Sequence, residues 1–186
     1  MCPQFVSRFS SSPHIIELLV TMTISIDVLN QLELADFIEA IGWVFEDSPW
    51  VAERAWKKKP FSDLSHLHRS MVNELSLASE EELLALLRAH PDLGTRARMT
   101  DASTAEQAGA GLDRLNSEEF EKLQHLNSTY REKMGFPFLF AVKGSTKYDI
   151  LAALERRVGE TRESEFKEAL RQVHQIALFR LQETIV

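Results

Sequence analysis

Cysteine is almost missing from this chain. Cys2 is the only one in 186 residues, which excludes an internal disulfide and a cysteine-rich zinc site and fits a reducing compartment. Glycine is scarce, at 7 residues, and strand-like alternation of apolar and polar side chains is nearly absent, so nothing favours a sheet. No apolar run approaches the roughly 18 residues of a membrane span. Positive charge is in deficit: 21 Lys and Arg face 28 Asp and Glu, a formal net charge of −7. Nucleic-acid binding relies on a basic face, so the balance argues against that class. It still allows an anionic substrate held by one or two arginines. The HExxH helix, the EF-hand loop, the phosphate loop and the dinucleotide fingerprint are all missing. His66 and His68 are two apart and point in different directions on a helix, and His125 and His174 are isolated in the sequence. No metal site and no cofactor is therefore expected.

What is present is an ordinary soluble-domain composition, 44% hydrophobic and 26% charged, enough for one core. Residues 1–21 have neither a signal-peptide core nor a cleavage site: Ile15–Val20 is short and interrupted by Glu17. We expect Met22 to be the natural start, residues 1–21 an upstream extension, and residues 22–186 a single domain. Arg8 and Glu17 cancel, so removing the extension leaves the charge unchanged.

The rest reads as helix. Leu34, Phe37, Ile38, Ile41 and Phe45 repeat on one face and predict a first helix over 31–45. Asp47-Ser48-Pro49 ends it and starts a short helix with Trp50, Ala52, Ala55 and Trp56. Further helices are expected from Ser62 to about Leu77 and from the Ser79–Glu82 capping box to His90-Pro91. Residues 91–102 read as a polar connection. Helices then follow over 104–112, 118–134 with Ser117 as cap, 146–158 and 162–184. The expected fold is all-α, a single-domain bundle of roughly seven to nine helices. The three tryptophans, Trp43, Trp50 and Trp56, read as core.

Several residues could carry chemistry, and each also has an ordinary structural role. His90 ends a helix and titrates near neutral pH, so it suits proton transfer; it also suits a helix end, where an imidazole meets the last carbonyls. Ser103 and Glu106 have capping-box spacing. Arg180 falls on or beside the apolar stripe of the last helix, either laying its stem along the core with its head in water or presenting a fork to a substrate oxygen. Gly135–Val142 is an apolar run with Pro137 inside it. As a buried strand-like segment it would leave backbone groups without helix partners, and a polar ligand could satisfy them.

Four stretches taken together have a family look. They are Phe45–Trp56 (FEDSPWVAERAW), Ala89–Gly94 (AHPDLG), Ser103–Gln107 (STAEQ) with Ala110–Leu112, and Asn127–Phe138 (NSTYREKMGFPF). In series they resemble the 2-oxo-4-hydroxy-4-carboxy-5-ureidoimidazoline (OHCU) decarboxylases of urate breakdown, over about residues 24 to 184. The resemblance implies an all-helical, cofactor-free enzyme, often a homodimer, that converts OHCU to (S)-allantoin and carbon dioxide. It implies that His90 is the catalytic histidine and Glu106 its carboxylate partner. Ser103 and Arg180 would hold the substrate, Pro91 would shape the wall, and the backbone around Phe138, Leu139 and Phe140 would pair with ring and ureido groups. The connection from His90 to Ser103 is somewhat shorter than in some relatives, which bears on the pocket rim.

Two other readings compete. A non-catalytic helical interaction module would use the tryptophan-proline region for a partner, and would leave His90, Glu106 and Arg180 more than about 15 Å apart, too far to share one small ligand. A lyase or hydrolase for a different small ureido substrate would have the pocket but no activity on OHCU. The C-terminal residues are no peroxisomal address, and a cytoplasmic enzyme with no nucleic-acid or membrane partner is expected.

Overall fold

Short polar side chains set most helix starts. The structure, a computed structural model, describes residues 23–95 and 100–186; the expected extension over 1–21 and the start at Met22 lie outside those residues. Nine α-helices are found among the described residues: α1 Ile26–Gln31, α2 Leu34–Ile41, α3 Trp50–Trp56, α4 Leu64–Ser76, α5 Glu80–Ala89, α6 Asp101–Gly109, α7 Ser117–Met134, α8 Lys147–Arg157 and α9 Arg162–Thr184. Ser25, Asp63, Ser79, Thr100, Asn116, Thr146 and Thr161 each accept a hydrogen bond from a backbone N–H in the first turn that follows, supplying partners that a helix start otherwise lacks. The expected all-α architecture is the one observed, with no strand among the described residues. A parallel bridge joins Ile24 to Ile185, with Ile24 N–H donating to Thr184 O at 2.8 Å and Val186 N–H to Ile24 O at 3.1 Å.

Four boundaries differ from expectation. The helix expected over 31–45 is three elements: α1, α2 and a 3-10 turn at Gly42–Phe45. Phe37, Ile41, Val44 and Phe45 are all buried, so the apolar pattern continues across a break in the backbone. Asp63, not Ser62, caps α4. Asn116, not Ser117, caps α7 in a box with Glu119. The helix expected from Thr104 begins at Asp101, capped by Thr100, and ends at Gly109. Ser103 is therefore not a cap. It lies inside the first turn, and its hydroxyl is free for other work.

The long α9 is the spine. It packs on α4, α5, α7 and the Gly42–Phe45 turn, burying Ala169, Val173, Ala177 and Leu181. Beside it runs the Gly135–Val142 stretch. Gly135 closes α7 in the left-handed region, at φ 80°, as helix ends often require. Phe136, Phe138, Leu139 and Val142 then enter the core without forming a strand.

Side chains serve the backbone of this stretch. Arg88 Nε donates to Gly135 O at 2.8 Å, Arg157 Nη1 to Leu139 O at 2.8 Å, and Ala141 N–H to Gln172 Oε1 at 2.7 Å. Arg157 is itself buried and held by Glu165, with Nη2 to Oε2 at 2.7 Å, and Tyr130 donates to that same oxygen at 2.6 Å. Burial and the bond to Glu165 push the Tyr130 hydroxyl pKa far up, so it stays protonated. The tryptophans divide: Trp50 and Trp56 pack on the core, whereas Trp43 is 38% exposed, which corrects the expectation that all three are core.

Candidate active site

The loop after α5 brings the first motif to the cleft. His90 is the C-terminal cap of α5, extended at ψ 140°, as the following proline demands. The residues behind it are anchors. Asp92 pairs with Arg131 at 3.0 Å, Leu93 O accepts from Asn127 Nδ2 at 2.8 Å, and Gly94 N–H donates to Gln107 Oε1 at 2.8 Å. The rest of this loop's sequence signature thus fixes the path on which His90 sits.

His90 is buried. Its Nδ1 lies 2.9 Å from Leu86 O. A carbonyl only accepts, so Nδ1 carries the proton. Nε2 is buried and has no hydrogen-bond partner among the described residues. Burial lowers the His90 pKa, against the opposing pull of Glu46 and the Leu86 carbonyl. The neutral ring therefore presents an unprotonated Nε2.

Next to it stands a cage of charge. Arg180, on α9, is 2% exposed. Its Nε donates to Glu106 Oε1 at 2.8 Å and Nη2 to Glu106 Oε2 at 3.1 Å. Nη1 donates to Glu46 Oε2 at 2.7 Å and to Val44 O at 3.3 Å, and Nη2 also to Ser103 Oγ at 3.0 Å. These bonds occupy all five guanidinium N–H groups. Ser103 Oγ donates in turn to Glu46 Oε1 at 2.9 Å. Burial pushes the Glu46 pKa up, but Arg180 and the hydrogen bonds outweigh it and hold the carboxylate below its ordinary range. Arg180 is likewise held above its ordinary value despite burial, through Glu106 and Glu46. Arg180 is therefore an enclosed fork between two carboxylates and not a surface arginine with its head in water.

Glu46 is the residue that sequence reasoning missed. It sits inside the Phe45–Trp56 signature, where no role was assigned to it. Its φ of 53° is the only positive value among the described non-glycine residues. Such a conformation persists only where the surroundings over-determine it.

His90, Pro91, Ser103, Glu106, Leu139, Phe140 and Arg180 line one cleft of about 330 Å³, part of it open to solvent. Of the expected residues only Phe138 is absent from the lining. Its side chain is fully buried, stacked on Phe140 at 6.1 Å and covered by the Arg157 guanidinium at 4.6 Å. A wider cleft of about 920 Å³, lined by Trp43, Lys143 and Phe179 among others, shares Glu106, Val142, Ile176 and Arg180 with the first. The wide separation expected of an interaction module is not met, since Glu106 and Arg180 touch. Among the described residues no group of His, Cys, Asp and Glu is arranged to hold a metal ion, and no helix is long and apolar enough to cross a membrane.

Fold and cleft together define an all-helical domain with a histidine-bearing cleft lined by both polar and apolar side chains. Comparison with known proteins narrows the class. The OHCU decarboxylase family model matches residues 30–182, and the chain belongs to that family. It is 48% identical to the 2-oxo-4-hydroxy-4-carboxy-5-ureidoimidazoline decarboxylase of Halalkalicoccus jeotgali, across 88% of this chain and 93% of that one. It is 49% identical to the decarboxylase of the same name from Haloferax volcanii, across 86% and 95%. Among solved structures, an (S)-allantoin synthase superposes with a TM-score of 0.73 at 34% identity, covering 87% of this chain and 54% of that chain. The chain thus spans about half the length of that synthase.

Proposed function

We propose that this protein is a carboxy-lyase that converts OHCU to (S)-allantoin and carbon dioxide in urate breakdown. Family membership supports the activity. The observation that carries the chemistry is the buried, unpartnered Nε2 of His90, in one cleft with Ser103, Glu106 and Arg180.

His90 and Glu106 act on the substrate directly. Pro91, Ser103, Arg180 and the backbone of Phe138, Leu139 and Phe140 shape and bind. The bond from C4 to the carboxylate breaks and carbon dioxide leaves. Its electron pair forms a double bond between C4 and C5, and the imine pair moves onto the ring nitrogen, which takes a proton from water. His90 Nε2 accepts the proton of the C4 hydroxyl, C4 becomes a carbonyl, and the imidazolium returns the proton to C5. Delivery from one face sets the product's hand. Donors from Arg180 meet the charge that develops on the substrate oxygens. Glu106 accepts from ureido or ring N–H groups. We infer, from the family resemblance, a homodimer in the cytoplasm; sedimentation of the purified protein reads the first and fractionation of native cells the second.

Freshly generated OHCU, followed by circular dichroism of the allantoin formed, tests the activity. Rapid appearance of one enantiomer, lost in His90→Ala, is expected. Racemic product formed no faster than without protein would direct attention to a different ureido substrate.

A further inference from the structure

Arg180 has two carboxylate partners, and they are not equivalent. The Glu46 side chain is 3% exposed and the Glu106 side chain 24%. Glu46 is tied down by Arg180, by Ser103 and by Thr100, whose hydroxyl donates to Oε1 at 3.2 Å. Its backbone is fixed in a conformation that a glutamate leaves readily unless held. Glu106 lines both the cleft that holds His90 and the wider one. With all five of its N–H groups committed, Arg180 has no donor for a substrate oxygen until one partner lets go. Glu46 is enclosed, whereas Glu106 is partly exposed and borders two clefts.

Charge decides whether that release is possible. A guanidinium so deeply buried cannot give up its only counter-ion, because an uncompensated buried charge is strongly unfavourable. With two carboxylates present, one leaves and the other remains. An incoming ureido arm offers N–H groups to a carboxylate and an oxygen to a guanidinium, so it can replace each member of the pair for the other.

We propose that Glu46 is a positioning residue, the standing counter-ion of Arg180, which frees Glu106 to leave the guanidinium and accept the ureido N–H groups while Arg180 turns its released donors to a substrate oxygen. This rests on the substrate class proposed above. In Glu46→Gln the shape is kept but the charge is gone, so Glu106 becomes the sole counter-ion and stays on Arg180. The loss falls on ground-state binding and therefore on KM more than on kcat.

The test uses the full chain, steady-state kinetics on OHCU, and calorimetric titration with (S)-allantoin, which retains the ureido arm. Glu46→Gln is expected to raise both KM and the allantoin Kd by at least about tenfold, with a smaller change in kcat. Glu46→Asp, which keeps the charge, recovers most of that loss. Wild-type KM and Kd in Glu46→Gln overturn the inference, as does a fall in kcat alone. Should Glu46→Gln fail to fold, Glu106→Gln decides: with Glu46 still on Arg180 it is expected to fold and to melt within about 5 °C of wild type, and a failure to fold like that of Glu46→Gln overturns the inference. A wild type that binds allantoin but does not turn over OHCU would sink the functional reading instead.

Discussion

His90 and Leu86 are joined by a hydrogen bond of 2.9 Å from the ring Nδ1 to the carbonyl four residues earlier. The bond fixes the orientation and tautomer of the imidazole, and leaves Nε2 without a partner among the described residues. His90→Asn keeps a polar group near the Nδ1 position and removes Nε2. Both His90→Asn and His90→Ala should lower kcat by about 10²–10⁴, the usual worth of a positioned acid-base group. Far-ultraviolet circular dichroism should show unchanged helix content. Wild-type rates in either variant would remove His90 from the proton steps.

The pH dependence follows from the neutral state of that ring. Burial moves the His90 pKa below its ordinary 6.5, while Glu46 opposes the shift. The Arg180 charge adds to the lowering and that of Asp47 opposes it, and Glu106 lines the same cleft. A base that must be unprotonated loses activity as pH falls, so the acid limb of kcat/KM should have its midpoint below 6.5. Stability follows the same sign. The unfolded chain binds the proton more readily, so the contribution of His90 is fully present above about pH 6.5 and is lost as pH falls through the depressed folded value. His174, also lowered by burial, adds to the effect. The comparison that isolates His90 is the melting temperature of wild type and His90→Asn between about pH 7 and pH 5, where the variant should lose less.

Arg180→Lys tests whether the fork matters or only the charge. A lysine offers three donors from one point, and cannot reach Val44, Glu46, Ser103 and Glu106 together. The expected result is a loss of at least about 100-fold in kcat/KM and about 1–3 kcal/mol of stability, from buried acceptors left unpaired. Chemical denaturation and steady-state kinetics measure the two. Near-wild-type values in both would mean that a point charge suffices.

Arg157 supports the cleft from behind. It holds the Leu139 carbonyl on one side and Glu165 on the other. Arg157→Ala leaves Glu165 as an uncompensated buried charge, and should cost about 3–5 kcal/mol in urea unfolding. Tyr130→Phe removes a single bond to that carboxylate and should cost less, about 1.5–3 kcal/mol. The reverse order would mean that the hydroxyl, not the guanidinium, carries the cluster.

Much of this was legible in the chain, because helix caps and apolar spacing are local signals. The Ser79–Glu82 box and the reach of α9 follow directly from them. The Ser103–Glu106 pair shows where local signals mislead. Its spacing imitates a capping box, yet Thr100 caps the helix, and Ser103 is released to bind Glu46 and Arg180. From spacing alone Arg180 fits either a surface arginine or a fork for a substrate oxygen, because its carboxylates come from remote parts of the chain. Glu46 is 57 residues from Ser103 and 134 from Arg180, a distance no periodicity spans. The family resemblance points to His90, Glu106, Ser103 and Arg180, and the structure brings these four to one cleft. Glu46 stood within one of the four motifs without a recognisable role, since only the folded chain brings a guanidinium to it.

The parallel bridge between Ile24 and Ile185 makes the described chain a near-ring. The last turn of α9, one turn beyond Arg180, is sewn to the segment that precedes α1. A domain closed in this way can be opened elsewhere and rejoined at its seam, or set into a longer polypeptide through two neighbouring linkers, without rearranging its interior. Permutation would change the order in which the helices are made and leave the cage around the guanidinium as it is.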